Sequence, residues 1–270
     1  MDETSLQALR VAGFVAAAIF ALVAQRLFPH AGLRESWRVN GGLWLINAGV
    51  VGAVCGACAC ILSAWATRNG FGILNQSPVS PWAAVPITIV VLDLVSYGWH
   101  RANHRVPLLW RLHQVHHSDP HFTVSTGVRF HPGELLLSLP IRVAAVVAIG
   151  APVVAVLLFE ILFTVANLFE HGDIRLPLRT ETRLGRVGVT PALHRRHHTK
   201  VGAARDTNFG TIFSVWDRMF GTFTASDSAT RVETGLPGME DLRLFGALQL
   251  PLRRVPRWVD GPLGSRGGGW

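Results

Sequence analysis

The chain has 270 residues, of which 49% are hydrophobic and only 16% charged, and its mean hydropathy is +0.33. A soluble domain carries about a quarter charged residues, so disorder and a polar solenoid are excluded. The formal charge of +8 is almost all arginine, with Lys200 the single lysine, and in so apolar a chain it points to a basic membrane face rather than to nucleic acid.

A membrane-crossing helix needs about 20 apolar residues. The first candidate is 9–27, with Arg10 and Arg26 at its ends, where both can snorkel to the headgroups. Asp2 and Glu3 stand where a signal peptide would be basic, which favours an anchor. The second, 41–66, has no charge, and the third, 82–99, has one acid, Asp93. The stretch 135–169 is too long for one crossing and is broken at Gly150, Ala151 and Pro152. It reads as a helical hairpin that returns to the side it left. Arg142 and Glu160 fall level on its two arms, which predicts an ion pair within the apolar layer.

Arg26, Arg34 and Arg38 follow the first span, Arg68 alone follows the second, and Arg101, Arg105 and Arg111 follow the third. The positive-inside rule puts the N-terminus outside and everything after Trp99 in the cytoplasm, the hairpin apart. The expectation is one all-α domain over 1–270, a polytopic membrane helical bundle with a cytoplasmic cap from 170 to 270, set in a bacterial inner membrane. The end, Gly267–Trp270, reads as frayed. Cys55, Cys58 and Cys60 sit at helical spacing in the second span and read as small packing residues.

Eight of the twelve histidines fall in three clusters: H-R-A-N-H (His100, His104), H-Q-V-H-H (His113, His116, His117) and H-R-R-H-H (His194, His197, His198). Residues three or four apart share a helix face, so each cluster aims its imidazoles one way. Asp93, Tyr97, His100 and His104 form a single stripe that leaves the membrane at its cytoplasmic end. The hairpin returns the third cluster to that end. Eight converging imidazoles can satisfy two metal ions with open positions left, although imidazole alone does not select among zinc, copper, iron and nickel.

These boxes resemble those of the fatty acid hydroxylase / sterol desaturase superfamily of integral membrane non-haem di-iron enzymes. The motifs D-L-V-S-Y-G-W-H-R-A-N-H, H-Q-V-H-H and H-R-R-H-H come in that superfamily's order around a hydrophobic hairpin. F-H-P-G-E (Phe130–Glu134) is similar to its entry into the hairpin and H-G-D-I-R-L-P (His171–Pro177) to its exit. Asp206–Phe223 is similar to its closing N-F-G…W-D-R-x-F-G-T signature. The resemblance implies two irons held mainly by histidine, O2 as cosubstrate, and oxidation of an unactivated C–H bond in a fatty acyl chain, sterol or related lipid, hydroxylation being preferred to desaturation.

Carried over by residue, the implied ligands are His100, His104, His113, His116, His117, His194, His197 and His198, with His171 as a ninth. Asn167 stands where some members have a further histidine, which implies a water-mediated contact or a hairpin-packing role. Asp93 and Tyr97 are expected to brace metal-bound imidazoles. Asp206, Asn208, Trp216 and Asp217 are expected to fold the cap over the site. His131 fits either a brace or a helix start, and His121 an exposed loop. No nucleotide or flavin motif is found, so electrons are expected from a separate ferredoxin- or cytochrome-type protein. The lipid is expected to enter sideways, its head near the arginine-rich face.

Two other readings fit less well. A bis-histidine haem electron-transfer protein would place its histidines within facing spans, whereas these cluster at one membrane edge. A zinc membrane hydrolase needs about three ligands and an H-E-x-x-H glutamate, and that motif is absent.

Overall fold

The computed structural model describes residues 3–32, 34–55, 58–200, 205–226, 229–239 and 242–253. The main elements are helices α1 (Glu3–Leu27), α2 (Trp37–Cys55), α3 (Cys58–Arg68), α4 (Pro81–Arg105), α5 (Pro107–His117), α6 (Pro132–Ile149), α7 (Val153–Glu170), α8 (Leu178–Leu184) and α9 (Pro191–His197). Two shorter helices, Val215–Met219 and Leu244–Gln249, follow in the cap. The frayed end expected at Gly267–Trp270 lies outside the described residues.

Four helices are long and apolar enough to cross a membrane: Gln7–Leu27, Pro81–Arg105, Pro132–Ile149 and Val153–Glu170. Of the span expected at 41–66 the described residues are helical, as α2 and α3 on either side of residues 56 and 57, which lie outside the described residues. Neither piece is among the four.

The helices that carry histidines start on strong signals. Ser80 caps α4 by accepting from Ala83 N at 3.3 Å, and Pro81 stands at the first helical position. Thr190 and Pro191 do the same for α9. A side-chain acceptor satisfies an orphan N–H there, and proline lacks the N–H that would otherwise go unpaired.

The hairpin is formed as expected, with arms of 18 residues each, about 27 Å of rise and comparable to a hydrocarbon layer. Its tip is pinned by Ser63 Oγ donating to Ala151 O at 2.5 Å. Gly150 turns with φ +69°, and a Cβ there would lie 2.8 Å from Phe71 O, so glycine is required by both conformation and space.

α7 is the spine of the bundle and packs on α1, α3 and α4. Cys60, Leu92, Val146, Ala151, Val156 and Phe159 form the core where α3, α4, α6 and α7 meet. Val11, Val15, Ile19 and Phe20 of α1 are exposed, the lipid-facing surface such a helix requires.

The Arg142–Glu160 pair is not formed. Both oxygens of Glu160 accept from Arg10, Nε at 2.7 Å and Nη2 at 3.0 Å, while the Arg142 guanidinium lies over the Phe163 ring, 5.2 Å from its centroid. α1 packs along α7 and delivers Arg10 to the carboxylate. Arg10 therefore turns inward, also donating to Cys60 Sγ at 3.3 Å, rather than reaching for headgroups.

Candidate metal centre

The last turns of α4, the body of α5, the residue after α7 and the end of α9 meet at one end of the bundle. They bring nine histidines into two groups. His100, His104, His113, His117 and His197 form one, and His116, His171, His194 and His198 the other; within each, one nitrogen per ring lies within 4.8 Å of all the others.

Helix geometry explains the division. His100/His104, His113/His117 and His194/His198 are i, i+4 pairs, and each pair stays within one group. Neighbours such as His116 and His117 are rotated by about 100° on a helix of 3.6 residues per turn, so the odd member of each H-x-x-H-H box serves the other group. The groups touch, with the His117 and His198 rings stacked 4.2 Å apart.

In the group of five, four rings are turned by an acceptor on Nδ1. His100 meets Phe209 O at 2.9 Å, His104 meets Asp206 Oδ1 at 3.3 Å, His113 meets Glu134 Oε1 at 2.8 Å, and His197 meets Thr207 O at 2.7 Å. Their Nε2 atoms, and both nitrogens of His117, are buried with no hydrogen-bond partner among the described residues. Buried polar atoms without partners are rare and call for an explanation such as an ion.

In the group of four, His171 Nε2 lies 3.0 Å from both His116 Nε2 and His194 Nε2. Among these rings only His171 has a near acceptor on Nδ1, Asn167 O at 2.6 Å. Glu170 Oε1 stands 3.8 Å from His194 Nε2 and 3.9 Å from His171 Nδ1.

Burial pushes the imidazoles of His116, His117, His194, His197 and His198 well below the ordinary value of 6.5, and repulsion among the rings adds to it. Burial also pushes His171 down to about 3, against the pull of Asn167 O. Neutral imidazole is the metal-binding form. Neutral rings, nitrogens without partners and oriented Nδ1 atoms make this donor set fit two transition-metal ions.

The cap orients three of these rings through backbone and side-chain oxygens of Asp206–Phe209. Asp93 accepts from Ile212 N and Phe213 N, both at 3.1 Å, and from Trp216 Nε1 at 2.8 Å. Asp217 accepts from Phe209 N at 2.7 Å and Gly210 N at 2.9 Å. Tyr97 OH bonds with Thr222 Oγ1 at 2.9 Å. Asp93 and Tyr97 thus clamp the segment that holds His100, one step further from the rings than expected. Asn208, in the left-handed region at φ 55°, ties this segment to Leu193 O at 3.1 Å and Thr224 O at 2.9 Å.

Asn167 donates to Gly127 O at 2.7 Å, so its side chain packs the hairpin. His131 caps α6 by accepting from Gly133 N at 3.0 Å, and His121 is exposed; neither belongs to the two groups. Sequence reasoning assigned no role to Glu134, the brace for His113, or to Glu170. The signals that could have found them are an acid at each end of an apolar hairpin and, for Glu134, its place in F-H-P-G-E.

Phe130 stacks on His116 with centroids 4.5 Å apart, and Phe122, Trp110 and Phe209 wall the remaining sides. A narrow cavity of about 80 Å³ opens from His100, His113, His116, His171 and His194 toward the bundle interior.

The sequence profile described as fatty acid hydroxylase matches residues 85–222, just over half of the chain. Ornithine lipid hydroxylase OlsE of Rhizobium tropici is 30% identical over 173 residues, covering 64% of this chain and 51% of the relative. Alkylglycerol monooxygenase of Xenopus tropicalis is 26% identical over 209 residues, covering 75% and 45%. Cholesterol 25-hydroxylase of Rattus norvegicus is 26% identical over 154 residues, covering 56% and 50%. The chain thus spans about half the length of these curated relatives. No solved structure matches it. With the match running from the membrane-embedded half of α4 through both histidine groups to the cap, the chain belongs to the fatty acid hydroxylase family.

Proposed function

We propose that the chain is an O2-dependent lipid hydroxylase that holds two iron ions, one in each histidine group. The observation that carries this is the set of nine buried imidazoles, sorted five and four, with six buried ring nitrogens of the group of five lacking partners among the described residues. The relatives' printed names, all hydroxylases or monooxygenases, favour hydroxylation over desaturation. Iron bound there would supply the capacity to activate O2 and oxidise an unactivated C–H bond.

The chain's own residues do the rest. Glu134, Asp206, Thr207 O and Phe209 O hold the Nδ1 protons, fixing tautomer and ring direction. Phe122, Phe130, Trp110 and Phe209 keep water from the reacting carbon. The cavity among α4, α6 and α7 admits a hydrocarbon from the bilayer and presents it beneath the histidines.

Conversion of R–H and O2 to R–OH and water consumes two electrons and two protons, which a separate ferredoxin- or cytochrome-type donor brings. The arginine distribution supports a cytoplasmic position for this face, where such a donor would be available.

The test is expression of the chain in iron-supplied cells under isotopically labelled dioxygen, followed by mass spectrometry of membrane lipids. The expected result is a lipid carrying one labelled oxygen that is lost in His194→Ala. Lipids identical to those of the variant would reject the reading.

A further inference from the structure

Two cavities inside the bundle meet at one cation. The narrow cavity below the histidines continues along α6 past Ser138 and Ile141 to Arg142, with Phe163 of α7 opposite. A second cavity, of about 310 Å³, lies between α1, α3 and the hairpin, and Arg142 and Phe163 form its wall as well.

Glu160 is engaged by Arg10 through both oxygens. Among the described residues no carboxylate or other acceptor lies within hydrogen-bond or ion-pair distance of the Arg142 guanidinium; Glu160 attracts it only from further off, and its near neighbours are the faces of Phe163 and Phe159, 5.2 and 6.0 Å away. A guanidinium keeps its proton in a protein and carries five N–H donors. At membrane depth, unpaired donors are costly and mark a pathway or a binding site.

Glu134, Ser138, Ile141 and Arg142 fall at i, i+4, i+7 and i+8 on one face of α6. Glu134 holds His113, and Arg142 stands about 12 Å further along the helix axis from Glu134. Ile141 is exposed on the outer side of α6, which gives the cavity a lateral mouth toward lipid.

We propose that Arg142 binds the carboxylate or ester oxygen of an acyl lipid, whose chain then fills the narrow cavity and presents a methylene to the histidine groups. This rests on the lipid hydroxylase reading and adds which part of the lipid is recognised. It puts the substrate's oxygen function inside the bundle rather than at the arginine-rich rim. A bare hydrocarbon is rejected because it would bury the guanidinium donors unpaired, and such mismatches discriminate strongly.

The test measures binding, without turnover, on detergent-purified metal-loaded protein. Radiolabelled palmitate, methyl palmitate and hexadecane are compared in the wild type and in Arg142→Gln and Arg142→Lys, with metal content determined for each. Wild type is expected to retain one or both oxygenated probes about tenfold more tightly than hexadecane, as a charge-assisted hydrogen bond implies. The two oxygenated probes tell carboxylate from ester. Arg142→Gln should lose that preference while keeping its metal and its hexadecane binding, and Arg142→Lys should keep part of it.

A palmitate carrying a photoreactive diazirine beside the carboxyl, cross-linked to wild-type protein, is expected to label the segment around Ile141–Arg142 or Phe163. This measurement does not depend on the variants folding. Equal wild-type affinity for all three probes, an unchanged preference in Arg142→Gln, or labelling confined to the histidine rim would overturn the proposal. Each would leave a metal content of two per chain, and with it the hydroxylase reading, standing.

Discussion

The two histidine groups differ in how they are held. In the group of five, four rings are turned by oxygen acceptors drawn from α6 and the cap. In the group of four, His171 Nε2 touches His116 Nε2 and His194 Nε2 at 3.0 Å, one ring has a backbone acceptor, and the carboxylate of Glu170 stands back at 3.8 Å. Three of those four rings also line the cavity. The difference separates a braced, preorganised site from a more adjustable one facing the substrate. Bracing of this kind raises ligand basicity and metal affinity, so the group of five should be the tighter site.

Substitutions can break that contrast, starting with the largest expected effect. His117→Ala removes a ring whose two nitrogens both lack partners; loss of at least one metal per chain and of all detectable turnover is expected by elemental analysis and product assay. Glu134→Gln exchanges an anionic acceptor for a neutral amide on His113 and should weaken the tighter site about 10–100-fold, measured by chelator competition. Glu170→Gln should change metal affinity less than Glu134→Gln. If it releases metal as readily, the braced-versus-adjustable distinction is wrong.

Asp93→Asn acts one step further out. The amide leaves one oxygen for three donors, so unfolding of the cap should become easier by about 1–3 kcal/mol, the usual cost of an unsatisfied buried group. Protease accessibility of the 205–223 segment would show it, with metal lost only afterwards.

A separate effect is that of pH on the metal-free protein. His171 titrates at about 3 when folded and near 6.5 when unfolded. Between those values the unfolded chain binds a proton that the folded one does not, so stability is complete above about 6.5 and is lost as pH falls toward 3. Melting temperature should drop on acidification over the upper part of that window. Metal-loaded protein should resist until protons displace the metal. A flat profile in the metal-free protein would contradict the buried neutral state of the rings.

Much of this architecture is legible locally. The hairpin shows in the break at Gly150–Pro152, and three histidine pairs show in i, i+4 spacing. The same spacing, applied within each box, also contains the five-and-four division: adjacent residues such as His116 and His117 cannot face one centre. Partners supplied by distant segments are not legible. Arg10 and Glu160 are 150 residues apart, and nothing on the two arms of the hairpin announces that α1 will reach the carboxylate before Arg142 does. The acceptors Thr207 O and Phe209 O are backbone atoms, invisible to any residue pattern until the Asp93 and Asp217 clamps place them.

The central claim, two irons in two histidine groups, is tested most directly by metal analysis and the visible spectrum of detergent-purified protein from iron-supplemented cells. The account predicts about two irons per chain and no Soret band. One haem per chain, or a single zinc without a second metal, would contradict it.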